Sequence, residues 1–353
     1  MSNLRLAPRE TLLVASRGTG RQHGLWRWTE HGGNWSGAQL ATVNQLSALA
    51  GHPALPVVYG TSRMGQQGDI HAWRLHGDGA ELLGEKSSRG AEPCHLVVDP
   101  GGRMLIVTNY TSSTLGVQRL AADGAFEGEI ELPPLTGNGV DLDRQDAAHP
   151  HQALFADGML VVIDLGADLL REYAIDPQRR GAAALVPRRE TAVPSGTGPR
   201  HGVALPDGRF ALSGELGSNL VVGRTGAAAG GWANVPSTRR TGPAKTRHLR
   251  NYPGDIQCSP DGRFVHFANR GYDTISTFDV AGSMPVMVSE LDSGVDWPQH
   301  MLVYGDQLLV AGWDSSRVMR MPLRDGRPDQ AELVFECAGA GWLMLHREGL
   351  AGR

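Results

Sequence analysis

Short apolar runs, each ending on a small or polar residue, recur along the chain at near-regular spacing. They are Leu12-Leu13-Val14-Ala15-Ser16, Val57-Val58-Tyr59-Gly60-Thr61, Leu105-Ile106-Val107-Thr108-Asn109, Leu160-Val161-Val162-Ile163-Asp164, Phe210-Ala211-Leu212-Ser213-Gly214-Glu215, Phe264-Val265-His266-Phe267-Ala268-Asn269 and Leu308-Leu309-Val310-Ala311-Gly312. Their ends fall 43 to 55 residues apart. A repeat of this length, holding several short strands, predicts a β-propeller. A second apolar run precedes most copies across a tight turn, as at Asp157-Gly158, Asp207-Gly208 and Asp261-Gly262. Asp-Gly between apolar runs predicts a hairpin, because both residues tolerate positive φ.

The strand before the turn is called A and the recurring run B. An alternating strand C follows, for example Ile275-Ser276-Thr277-Phe278-Asp279, and then a more variable strand D such as Glu127 to Pro133. The first copy, Thr11 to Ser16, has no A strand before it, and Trp342 to His346 looks like an A strand with no B after it. The two are expected to pair in one blade and close the ring, removing an open edge. The expectation is therefore an all-β, seven-bladed β-propeller of four-stranded antiparallel blades, filling residues 1–353 as one domain.

Composition narrows the function more than the fold. The 47 glycines and 21 prolines suit a turn-dense β protein. With 33 basic and 37 acidic residues, a net charge of −4, the chain carries no electrostatic footprint for nucleic acid or an anionic membrane. No apolar run approaches the roughly 18 residues of a membrane span. The segment Met1-Ser2-Asn3-Leu4-Arg5 lacks the profile of a signal peptide. Cys94, Cys258 and Cys337 read as reduced thiols of a cytoplasmic protein.

Propeller geometry turns the repeat into a site. Strand A is innermost and B runs antiparallel to it, so A starts and B ends share one face beside the central channel. The A starts carry His95, His151, His201 and His300, with His149 just ahead of His151; the B ends carry Asn109, Asp164, Glu215, Asn269 and Arg270. His95, His300, Asn109, Asp164 and Asn269 read equally well as fasteners between strands. Arg200, Glu215 and Arg270 are harder to explain in that way. Two guanidiniums beside a carboxylate suggest an anion-binding site, with a structural Arg–Glu–Arg bridge as the alternative.

The motifs at these positions resemble the seven-bladed propeller lactonase family, which includes bacterial 6-phosphogluconolactonases and fungal 3-carboxy-cis,cis-muconate lactonizing enzymes. The likeness runs from about Thr11 to Leu345 and rests on Pro93-Cys94-His95, Arg144-Gln145 with His149-Pro150-His151, Gly196-Thr197-Gly198-Pro199-Arg200-His201, Glu215-Leu216 and Asn269-Arg270-Gly271. It implies a catalytic set of one histidine of His149-Pro150-His151 (His151 has the better geometry) with Arg200, Glu215 and Arg270. It implies hydrolysis or formation of a lactone of a small anionic sugar acid or carboxymuconate. Glu215 or His151 would act as base, Arg200 and Arg270 would hold the substrate anion or the oxyanion, and no cofactor would be needed. His149, His95, His201, His300, Asn109, Asp164 and Asn269 would complete the substrate-binding surface. The chain departs from the family pattern at Ser16-Arg17, Thr61-Ser62-Arg63 and Gly312-Trp313-Asp314. Two other readings stand beside this one. One is a propeller that binds a small anion or a protein without catalysis. The other is a metal-dependent lactonase using the channel histidines.

Overall fold

In a computed structural model, which describes residues 4–64, 67–241 and 250–347, the strands form seven antiparallel sheets, each one blade. In the order A to D, blade 1 is Ala340–Arg347, Glu10–Ser16, Gly24–His31 and Asn34–Thr42. Blade 4 is Pro150–Ala156, Met159–Asp164, Leu169–Ile175 and Leu185–Ala192, and blade 5 is Pro199–Ala204, Phe210–Gly214, Asn219–Gly223 and Ala233–Pro236. Blades 2, 3, 6 and 7 start at Leu46, Pro93, Tyr252 and Pro298 and repeat the order; blade 7 adds a small hairpin strand, Arg327–Pro328. The ring closes as the sequence predicts: Thr11 pairs with His346 and Ala15 with Trp342.

The apolar B runs are unbroken because a propeller buries both of their faces. Leu12 and Val14 pack against Leu309 and Ala311 of blade 7, while Leu13 and Ala15 pack against Leu46 and Val58 of blade 2. Each of the seven hydrophobic clusters among the described residues lies between two neighbouring blades. Burial of this kind contributes about 25 cal/mol per Å², so blade–blade contact is the main source of stability.

One turn expectation needs correction. Of the three Asp-Gly turns named above, only Asp157-Gly158 has both residues at positive φ, +48° and +74°. At Asp99, Asp207 and Asp261 the carboxylate instead accepts backbone N–H groups from the returning strand, at Arg103, Arg209 and Arg263, 2.6, 3.0 and 3.1 Å away. These aspartates act as turn caps, and only a following glycine takes the left-handed conformation.

Strand A of blades 2 to 7 opens with a register shift against its B strand, at Leu46/Ala48, Pro93/His95, Pro150/Gln152, Pro199/Gly202, Pro253/Ile256 and Pro298/His300. Proline is tolerated there because a first strand residue can forgo a ladder N–H. A bulge leaves a residue unpaired and re-aims its side chain. The displaced residues include Ser47, Cys94, His151, Arg200 with His201, Gly254 with Asp255, and Gln299. Blade by blade, the same irregularity delivers side chains to the channel mouth.

Candidate active site

The loop Gly196-Thr197-Gly198 leads into Arg200, and its shape is fixed by Asp168, which accepts the N–H groups of Gly196 and Gly198, both at 2.7 Å. Gly198 sits at φ +54°, where a Cβ would come within 2.3 Å of Leu216. Its carbonyl accepts the N–H of Glu215 at 2.9 Å, so the loop and the end of strand B set Arg200 and Glu215 against each other.

Glu215 is buried and lies among three guanidiniums. Arg270 Nη2 is 2.5 Å from Oε2, Arg200 Nε is 3.1 Å from Oε2 and Arg144 Nη2 is 2.8 Å from Oε1. Burial alone would raise the Glu215 pKa, but Arg270, Arg200 and Arg144 outweigh it and hold it down at about 2. The Arg200 contact is an ion pair without hydrogen-bond alignment, because its Nε has no directed partner. Burial, followed by the neighbouring Arg270, lowers the Arg200 pKa to about 9, so the group stays charged at neutral pH.

Arg144 lies outside the expected catalytic set, although Arg144-Gln145 carries part of the family resemblance. It comes from the loop between blades 3 and 4, where Gln145 Oε1 accepts the N–H groups of Val140 and Asp141 and Gln145 Nε2 donates to the Leu165 carbonyl. That pinning carries Arg144 across to Glu215 and to the Tyr110 hydroxyl, 3.1 Å away.

The two histidines of His149-Pro150-His151 differ. His149 donates from Nδ1 to the Tyr110 carbonyl at 2.8 Å, its Nε2 lies 3.1 Å from Asp146, and its ring stacks on Tyr110 at 4.5 Å. It fastens blade 4 to blade 3. His151 sits at the bulge, buried, with Nδ1 lacking a partner. Burial, then Arg200, His201, Arg63 and Arg270, push its pKa well below the usual histidine value. At neutral pH it is an uncharged imidazole surrounded by cations.

The next residues down the channel form a linked layer. His201 Nδ1 lies 2.9 Å from Asp255 Oδ1, and Arg200 Nη1 lies 3.3 Å from His201 Nε2. Asp255 therefore selects the tautomer in which Nδ1 donates to it and Nε2 accepts from Arg200. Asp255 also takes the Met301 N–H at 2.7 Å and faces His300 Nε2 at 3.8 Å. His300 stacks on Trp342, with ring centroids 4.0 Å apart, and His95 meets Trp342 edge-on at 5.3 Å. The expectation omitted Asp255. Its signal was Pro253-Gly254-Asp255, which puts an aspartate where Pro93-Cys94-His95 and Pro199-Arg200-His201 put a histidine.

Three of the residues expected at the substrate surface make internal contacts. Asp164 accepts the N–H groups of His149 and Ala167 at 2.8 and 3.1 Å and pairs with Arg171 Nη2 at 2.8 Å. Asn109 donates to Thr114 Oγ1 at 3.1 Å. Asn269 donates to Ser276 Oγ at 2.9 Å and accepts from Asn251 at 3.0 Å. All three are fully buried; Asp164 and Asn269 spend their polar atoms holding strand ends together, while Asn109 Oδ1 is left without a partner. Cys94 also lies beside the mouth, but burial raises its thiol pKa, so it is not a ready thiolate. Among the described residues no three His, Cys, Asp or Glu side chains converge as a ligand set for a metal ion.

A narrow recess of about 20 Å³ lies beside this cluster, lined by Arg200, His201, Gln299 and Trp342 and by Arg17, Arg63 and Trp313. The model of the family described as "Lactonase, 7-bladed beta-propeller" matches residues 11–328. The chain belongs to that family. Membership carries the enzyme class, a lactonase. Relatives include the 6-phosphogluconolactonase of Bacillus subtilis, 26% identical over 72% of this chain and 75% of the relative. Another is the 6-phosphogluconolactonase of Formosa agariphila, 26% identical over 73% and 75%. Among solved structures, a Lactobacillus plantarum protein superposes with a TM-score of 0.84 at 22% identity, covering 96% of this chain and 99% of that one. The periplasmic gluconolactonase of Pseudomonas aeruginosa superposes with a TM-score of 0.76 at 22% identity, covering 95% and 98%. At that identity the two structures speak for the lactonase-propeller fold alone. No helix among the described residues is long and apolar enough to cross a membrane.

Proposed function

We propose that this lactonase hydrolyses the lactone of a small anionic sugar acid, of the 6-phosphogluconolactone type. The observation that carries the reading is the Glu215 centre. One carboxylate holds three guanidiniums beside a neutral buried histidine, at the face where the bulged strands open. A fixed array of cations with a nearby uncharged base suits attack of water on an ester carbonyl.

In this reading His151 takes a proton from water as the water adds to the lactone carbonyl. Arg200 and Arg270 stabilise the oxyanion of the tetrahedral intermediate. Collapse breaks the bond from the carbonyl carbon to the ring oxygen. His151 returns the proton to the departing alkoxide, so lactone and water become a hydroxy acid. Glu215 is the positioning residue for the arginines, since both of its oxygens are taken by guanidiniums. His201 and Asp255 orient Arg200 from below. A cytoplasmic location is the accompanying proposal, supported by three unpaired cysteines, although the Pseudomonas neighbour is periplasmic.

The test is a kinetic split. His151→Ala is expected to lower kcat about 10²–10⁴-fold with a small change in KM. Arg270→Met is expected to raise KM most for anionic lactones. A His151→Ala enzyme with wild-type kcat would remove the base assignment.

A further inference from the structure

The recess has a second cationic wall, built by blades other than those that carry Glu215. Arg17 follows the B strand of blade 1, Arg63 lies in the B strand of blade 2, and Trp313 follows the B strand of blade 7. These three blades are consecutive around the ring, because blade 1 closes between blades 7 and 2. All three side chains line the same recess as Arg200.

The charge on this wall is poorly compensated. Arg17 donates from Nε to the neutral Gln45 side chain at 3.0 Å. Among the described residues, no carboxylate lies within ion-pair distance of it. Burial, followed by Arg63, lowers the Arg17 pKa to about 9, so it remains cationic at neutral pH. The one carboxylate near Arg63 among the described residues is the exposed Glu92, 3.9 Å away. Arg63 Nε is buried with no hydrogen-bond partner, an arrangement that costs free energy unless a ligand supplies an acceptor. Arg17 is also held in place, with its guanidinium carbon 3.6 Å from the centre of the Trp313 ring. Such stacking limits the rotamer entropy lost when an anion binds.

We infer that Arg17 and Arg63 form a second anion subsite, which holds a phosphate remote from the reacting carbonyl while Arg200 faces the lactone end of the same substrate. This rests on the lactonase reading above and adds that the substrate carries two separated polar poles, one at each wall. Both walls keep excess positive charge, but they differ in kind: at Glu215 three guanidiniums are fixed on one internal carboxylate, whereas Arg17 has no carboxylate within ion-pair distance among the described residues and Arg63 has only Glu92 at 3.9 Å. Specificity for a phosphorylated over an unphosphorylated sugar acid would then reside in blades 1, 2 and 7.

The experiment uses product acids, so that binding is read without turnover. Calorimetry compares 6-phosphogluconate with gluconate on the wild-type protein, on Arg17→Met/Arg63→Met, and on Arg63→Met alone should the double variant lose its folded far-UV spectrum. The wild type is expected to favour 6-phosphogluconate by about 10–100-fold, the value of one or two charge-assisted contacts. The methionine variants are expected to lose most of that preference, and Arg17→Lys/Arg63→Lys to recover part of it. A wild type with no preference, or a folded methionine variant that keeps it, overturns the subsite. Hydrolysis of unphosphorylated gluconolactone by the wild type is measured in parallel. Hydrolysis without a phosphate preference removes the subsite and leaves the lactonase reading intact. A phosphate preference that depends on Arg17 and Arg63 but comes without hydrolysis does the reverse.

Discussion

Replacing Glu215 with Gln separates an anchor from a base. The substitution keeps the shape and removes the charge that holds Arg270, Arg200 and Arg144 at 2.5, 3.1 and 2.8 Å. Breaking a buried ion pair from one side typically costs about 3–5 kcal/mol. Arg200 and Arg270 are as buried as Glu215, while Arg144 is about a third exposed, so the first two dominate. Unfolding entropy of about 2.1 cal/mol/K per residue over 353 residues gives roughly 0.7 kcal/mol/K, and hence a Tm lower by about 4–7 °C. The linkage sign follows from a folded pKa of about 2 against about 4.5 when unfolded. The stabilisation is complete above the unfolded value and is lost as pH falls from about 4.5 towards 2. Glu215→Gln should therefore flatten the stability profile in that window. In kinetics it should raise KM and strengthen inhibition by inorganic phosphate, since the freed guanidiniums seek another anion. Calorimetric melting from pH 2 to 7 together with initial-rate assays reads all of this. A variant with wild-type Tm and KM but kcat lowered more than 10³-fold would refute the anchor and make Glu215 the base.

Other consequences are sharp enough to measure. Because the pKa of His151 is pushed well down, the base stays unprotonated as pH falls, so kcat/KM should hold below pH 6.5; an acid limb centred at 6.5 would point to an unperturbed histidine. His266 is fully buried with Nε2 unpartnered, and burial lowers its pKa to about 4. Its folded value lies below the unfolded one, so stability is lost as pH drops from about 6.5 to 4, by up to roughly 3 kcal/mol. His71 and His201 are pushed down to about 4 as well, so His266→Leu should remove one histidine's share of the slope in the urea midpoint. Deleting residues from 340 onward removes the A strand of blade 1 and is expected to abolish cooperative melting.

The ring and its closure were legible because each B strand is buried on two sides. That writes a continuous apolar run into the sequence, as Leu12 to Ala15 and Leu160 to Ile163 show. The trio Arg200, Glu215 and Arg270 was legible for the same reason, since strand direction alone fixes which ends share a face. Asn109, Asp164 and Asn269 stand at those ends too, yet their side chains turn back into the sheet. Alternation along a strand does not reveal whether a short polar side chain will find a nearer backbone partner. Arg144 arrives from a loop, where no periodicity applies, and Asp255 is hidden because its neighbours in equivalent blades are histidines. Arg17, Arg63 and Trp313 read as departures from a pattern, and only the closed ring brings their three blades together.

The central claim is that the cationic mouth of this propeller opens lactones of anionic sugar acids. The most direct measurement is proton release from freshly generated 6-phosphogluconolactone, set against unphosphorylated gluconolactone, with purified protein between pH 5 and 9. The account predicts catalysis with kcat/KM of about 10⁴ M⁻¹s⁻¹ or more, higher for the phosphorylated substrate and strongly reduced in Arg200→Met. Rates equal to spontaneous hydrolysis for both lactones across that range would contradict it.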